Sequence, residues 1–199
     1  MSRPRRKNDP DAVRGRLLDC AAQLVVDHGL SSLTLESVAR DAGVSKGGLL
    51  HHYPGKDALI GGLFDQVVEW FDSQVDLAIE SNETQPARFS RAYLQVIAGI
   101  DMSAPAQKRF AVLILMLSSD PQCCARWNSW VEGRLHRHHR TDSSPAARTL
   151  RLAADGLWLS DLGGGPDSSP SARSDILRFL ESLDAIQAPL APQPDEGGQ

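Results

Sequence analysis

The 199-residue chain is 41% hydrophobic, enough for a core that needs no covalent staple, and its three cysteines are odd in number with two adjacent, so they form no disulfide framework and point to a reducing compartment. The longest apolar run, Phe110 to Leu117, is far short of the roughly 18 residues a membrane span needs, and the basic N-terminus leads into Asn8-Asp9-Pro10-Asp11 rather than an apolar secretion signal; the expectation is a cytoplasmic protein with no membrane contact. The net charge of −4 is uneven: residues 1–60 carry nine Lys/Arg against seven Asp/Glu, the remainder twelve against eighteen, and residues 1–10 read as a basic flexible arm that suits either a polyanion or solvent.

In chain order, almost every segment shows apolar residues at helical spacing with cap chemistry at the breaks, so the predicted fold is all-α. The stripe Val13, Leu17, Ala21, Leu24, Val25 predicts a helix over 11–28, stopped by Gly29. Thr34 is placed to cap a short second helix running to Gly43, and Ser45 a third running to about Tyr53, where Pro54-Gly55 ends it. Residues 56–80 carry two adjacent apolar stripes, which predicts a long helix packed on two sides. Further helices are expected at about 87–100, 106–118, 121–138, 145–162 and 170–186, with Asp120, Ser144 and Ser169 as caps ahead of first-turn prolines. Residues 187–199, with three Pro and two Gly, read as a disordered tail.

Two short helices joined at Gly43, with Val38 and Ala39 before the turn and Val44 and Leu49 after it, make a helix-turn-helix, whose second helix is free to enter a major groove. The stretch beginning at Thr34, TLESVARDAGVSKGGLLHHYPGKDALI, with the preceding LLDCAAQLVVDHGLSSL, resembles the N-terminal domain of the TetR family of transcriptional regulators over about residues 12–60. The resemblance implies a ligand-responsive repressor, not an enzyme, with a three-helix DNA-binding domain over 11–55, a helical ligand-binding and dimerisation domain over 56–186, a palindromic DNA operator, an unknown small-molecule effector, and a homodimer built on the last two helices. It also implies that Thr34 caps the second helix and touches phosphate and that Ser45 caps the recognition helix. Lys46, Gly47, His51, His52 and Tyr53 would lie at or beside the DNA, with Lys56 on a phosphate. Lys46 and His51 are the expected base readers. Gly48 and Leu50 depart from the family pattern, which often has hydroxyl side chains there.

Beyond residue 80 the aromatic residues Tyr93, Phe110, Trp127, Trp130 and Trp158, with Met116, are candidates to line an effector pocket or to pack an ordinary helical core. The run Asp155 to Leu159 is similar to choline-responsive members of the same family, and Trp faces can hold a quaternary ammonium. For dimerisation the apolar stripes are Leu150, Ala154, Leu157 on one helix and Ile176, Leu177, Leu180, Leu183 on the next, with Gly163 to Gly165 as a loose connection between them. His136, His138 and His139 do not share one helical face, so no metal site is expected. Cys123 and Cys124 are either reactive thiols at a helix N-terminus or buried inert ones. No phosphate loop or nucleophile-base signature is present, so neither a cofactor nor a catalytic residue is expected.

Overall fold

The computed structural model describes residues 9–81 and 86–183, so most of the basic arm and the whole of the expected tail lie outside the described residues. Within them every regular element is helical. The helices are α1 (Pro10–His28), α2 (Leu35–Asp41), α3 (Lys46–His52), α4 (Lys56–Ser81), α5 (Arg88–Ala98), α6 (Pro105–Leu117), α7 (Pro121–Arg137), α8 (His139–Asp142), α9 (Pro145–Gly163) and α10 (Pro170–Ser182). The expected elements are all found; the short α8 was not anticipated, because a single turn leaves no apolar period to read.

The chain divides into two compact units. The first holds residues 1–73 and 100–131, the second 74–99 and 132–199. In the first, α1 turns Val13, Leu17, Leu18, Ala21 and Val25 inward, and these join Val38 and Ala39 of α2, Leu49 of α3, Leu59 and Leu63 of α4 and Leu113 and Leu117 of α6 in one apolar core. Burying such a side chain is worth about 1.5–3 kcal/mol, so the packing of α1 onto its neighbours, rather than helix propensity, holds the short α2 and α3 in place.

In the second unit, α5 packs along α9 and against α8. Asp142, at the end of α8, is buried, and its carboxylate accepts the backbone N–H groups of Phe89 (3.2 Å) and Ser90 (2.8 Å) and the hydroxyls of Ser90 (2.5 Å) and Thr141 (2.7 Å). Two of the orphan donors in the first turn of α5 are thereby satisfied by a residue more than fifty positions away, where the local sequence offers no capping side chain. Arg151 donates to the Ser90 hydroxyl (2.5 Å), and Tyr93 donates to Asp155 (2.6 Å) on the next turn of α9. The Gly163–Gly165 connection is closed by backbone hydrogen bonds. Gly164 closes α9 in the left-handed conformation (φ +62), the Gly165 N–H returns to the Ser160 carbonyl, and Ser169 caps α10.

Candidate DNA interface and effector region

The interface is assembled from local rules. Thr34 caps α2 by accepting the Ser37 N–H while the Ser37 hydroxyl pairs back to Thr34, a reciprocal capping box. The turn is made at Gly43, whose φ of +67 favours glycine, and the Val44 N–H closes it on the Ala39 carbonyl at 2.9 Å. Ser45 then caps α3 through the Gly48 N–H at 3.1 Å. With Leu49 fully buried, the helical period leaves Lys46, Gly47, Leu50 and His51 on the outer face of α3, all exposed.

That face is polar and cationic at its start. The Lys46 ammonium pairs with Glu36 of α2, and this hydrogen bond holds the Glu36 carboxyl below the usual carboxylate range. Both partners are exposed, and such pairs are worth little, so a phosphate can take the ammonium over at small cost. His51 and His52 meet edge to face at 5.5 Å and line a groove with Arg16 of α1.

Two of the expected DNA contacts have partners within the chain. Tyr53 is only 3% exposed: it packs into the core where Gly62 of α4 leaves room, and its hydroxyl accepts from Arg14 at 3.0 Å. It braces the end of α3 from behind. Lys56 is half-buried and donates to the Leu30 carbonyl at 3.3 Å, tying the start of α4 to the 3₁₀ turn after α1. Leu50, 38% exposed, was not among the expected readers. Its signal was its spacing, one helical turn on from Lys46 and Gly47, since an apolar side chain left on the outer face of such a helix fits a thymine methyl group.

Comparison with known proteins agrees with this geometry. Residues 17–63 match the family described as "Bacterial regulatory proteins, tetR family", and residues 87–185 match "Tetracyclin repressor-like, C-terminal domain". The chain belongs to the TetR family of transcriptional regulators. Among its relatives, the transcriptional regulator BetI of Burkholderia cenocepacia is 29% identical over 172 residues, covering 80% of this chain and 87% of that one. The transcriptional repressor KstR2 of Mycobacterium tuberculosis is 25% identical over 88 residues, 44% of each chain. Two solved structures share the fold. The multidrug binding protein EbrR complexed with malachite green has a TM-score of 0.66 at 23% identity, covering 84% of this chain and 96% of that one. NalD of Pseudomonas aeruginosa, the secondary repressor of the MexAB-OprM efflux pump, has 0.67 at 19%, covering 90% and 97%.

In this TetR-family regulator the expected effector residues fall into both units. In the first, Phe110, Trp127 and Trp130 join Trp70 and Phe71 in an aromatic cluster: Trp127 stacks on Trp130 at 4.9 Å, Phe71 meets both near 5.5 Å, and Trp70 meets Phe110 edge to face at 4.4 Å. Met116 packs half-buried against the same core, and the Trp130 indole N–H donates to Asp72 at 2.5 Å. Tyr93 and Trp158 belong to the second unit. Trp158 holds a buried indole N–H with no hydrogen-bond partner among the described residues. Burial and the neighbouring Asp155 raise the Tyr93 phenol far above its ordinary range, so it stays a donor. Of the adjacent cysteines, Cys123 is buried and its thiol is pushed up to about 12, the inert reading of the two.

The last two helices also distribute their apolar side chains in a way the sequence stripes did not anticipate. Leu150, Ala154, Leu157 and Leu180 are buried within the unit, and Ile176, Leu177 and Leu183 are half-buried. The stripe facing inward on α9 is the one that packs on α5. What remains outside is Leu152 (66% exposed) and Leu159 (54%) on α9 and Phe179 (59%) on α10. Gly156 and Gly163 complete the outer stripe of α9, with open space beyond each Cα.

Proposed function

We propose that the chain acts in the cytoplasm as a repressor, holds a palindromic operator as a homodimer, and is released when a small molecule binds its helical domain; no catalytic step belongs to this reading. The observation that carries it is the outer face of α3, capped at Ser45, braced from behind by Tyr53, and presenting Lys46, Gly47, Leu50 and His51. One such helix reads only a few base pairs, so two copies about 34 Å apart on a two-fold site are needed. Leu152, Gly156, Leu159 and Gly163 support the pairing, because exposed leucines alternating with glycines let the α9 helices of two subunits approach closely, with Phe179 at the flank. The aromatic cluster around Trp127 and Trp130 supports a flat apolar or cationic effector. EbrR, described as a multidrug binding protein, is a structural neighbour compatible with such chemistry. An effector that fits the DNA-incompetent form better shifts the population towards it.

The test is duplex binding by full-length variants. Lys46→Ala and His51→Ala should each lose about 1–3 kcal/mol of specific affinity. Lys56→Ala should weaken specific and non-specific binding alike and flatten the salt dependence. Unchanged binding in the Lys46 and His51 variants would remove α3 from the interface.

A further inference from the structure

A second cavity has a different chemistry. Where the last turn of α7, the short α8 and the start of α9 meet, a half-open cavity of about 370 Å³ is lined by His136, His139, Ser144, Arg148 and Arg151, with Asp142 at its inner side. It shares no residue with the outer face of α3 or with the aromatic cluster.

Its charges do not cancel at contact distance. The one carboxylate, Asp142, is 4% exposed and already accepts four hydrogen bonds from neutral donors, which fills the roughly four acceptor positions a carboxylate offers. Neither Arg148 nor Arg151 forms an ion pair among the described residues. Arg151 is partly desolvated, which holds its guanidinium below the usual range, and its described bonds, to the Ser90 hydroxyl and the Ala147 carbonyl, use only one terminal nitrogen. Arg148 stands one turn earlier on the same face of α9, and His136 and His139 are likewise three apart, with ring centres 6.4 Å from each other. Two guanidinium forks and two imidazoles thus face one small volume in a chain whose net charge is −4.

We propose that this cavity binds a small multivalent oxyanion, a phosphate or a dicarboxylate. Planar guanidinium groups give paired N–H donors that match the oxygens of either group. The cavity admits an ion of a few heavy atoms, and the bound anion ties the end of α7 to the first turn of α9. Arg151 is the shared element: it lines the cavity and also holds the Ser90–Asp142 network that caps α5, so the anion acts on the same joint that organises the second unit.

The experiment is calorimetric titration of the full-length protein with inorganic phosphate and, separately, with succinate, at ionic strength fixed by potassium chloride. Saturable binding of at least one of them, one per chain, is expected, and the tighter of the two identifies the source. Arg148→Ala, at an exposed residue with no described partner, should weaken that binding by about tenfold and leave the melting temperature in chloride unchanged. The double variant Arg148→Ala, His139→Ala should abolish it. Absence of saturable heat with both anions overturns the proposal, as does undiminished binding in the double variant. A variant that loses non-specific duplex affinity while keeping its anion affinity also overturns it, and assigns the patch to DNA.

Discussion

The region α1–α3 and the unit built on α5, α8 and α9 solve the same problem, holding short helices in fixed positions, by different means. In the first, each helix start is closed by a side chain within three residues of it, Asp9, Thr34 and Ser45, and the outer face of α3 is polar but for Leu50. In the second, Ser144 and Ser169 cap α9 and α10 in the same local way, but the start of α5 is closed by Asp142 from across the unit, and the outer surface of α9 and α10 carries Leu152, Leu159 and Phe179. The two exteriors therefore suit different partners. A face whose own polar groups are satisfied locally can offer lysine and histidine to a polyanion, while a face that leaves large apolar side chains in water is suited to another apolar face.

The largest expected effect breaks the second surface. Leu152→Asp with Leu159→Asp places two charges in the proposed pairing stripe, and sedimentation should show a monomer with operator affinity lost. A variant that stays dimeric would move the interface elsewhere. Next comes the interior of the same unit. Asp142→Ala strips the acceptor from Phe89, Ser90 and Thr141 at a buried site, and should cost about 3–5 kcal/mol in chemical denaturation, whereas Asp142→Asn, which keeps one acceptor oxygen, should cost less.

The first region offers a finer contrast. A Cβ at Gly62 would lie 2.7 Å from the Tyr53 ring, so Gly62→Ala should destabilise by about 1–3 kcal/mol and weaken DNA binding by displacing the end of α3. At Gly47 a Cβ meets nothing, so Gly47→Ala should stabilise the free protein by about 1 kcal/mol through helix propensity and yet lower operator affinity, because the new methyl stands on the face that meets the bases. Thermal melts and duplex titrations of the same two proteins check both; parallel changes in the Gly47 variant would argue that the outer face of α3 does not touch DNA.

The same difference separates what is legible in the sequence from what is not. The caps at Thr34 and Ser45, the Gly43 turn and the buried Leu49 were legible, since each depends on residues within a few positions. Tyr53 was expected beside DNA and lies in the core, because the notch that receives it is made by Gly62, a glycine whose role is visible only once α4 is packed. On α9, two apolar stripes are compatible with the sequence, and only the partner α5 decides that Leu150, Ala154 and Leu157 turn inward and leave Leu152 and Leu159 outside. The cap of α5 by Asp142 was illegible for the same reason.

In the proposed complex two copies of α3 read a two-fold DNA site through Lys46, Gly47, Leu50 and His51. Selection of bound duplexes from a random-sequence pool by the purified full-length protein tests it most directly. The expected result is enrichment of two inverted half-sites whose centres lie about one helical turn of DNA apart, or a multiple of it, with the enriched bases changing when Leu50 or His51 is replaced. Enrichment of no sequence, or of one sequence left unchanged by replacing all four residues, would contradict it.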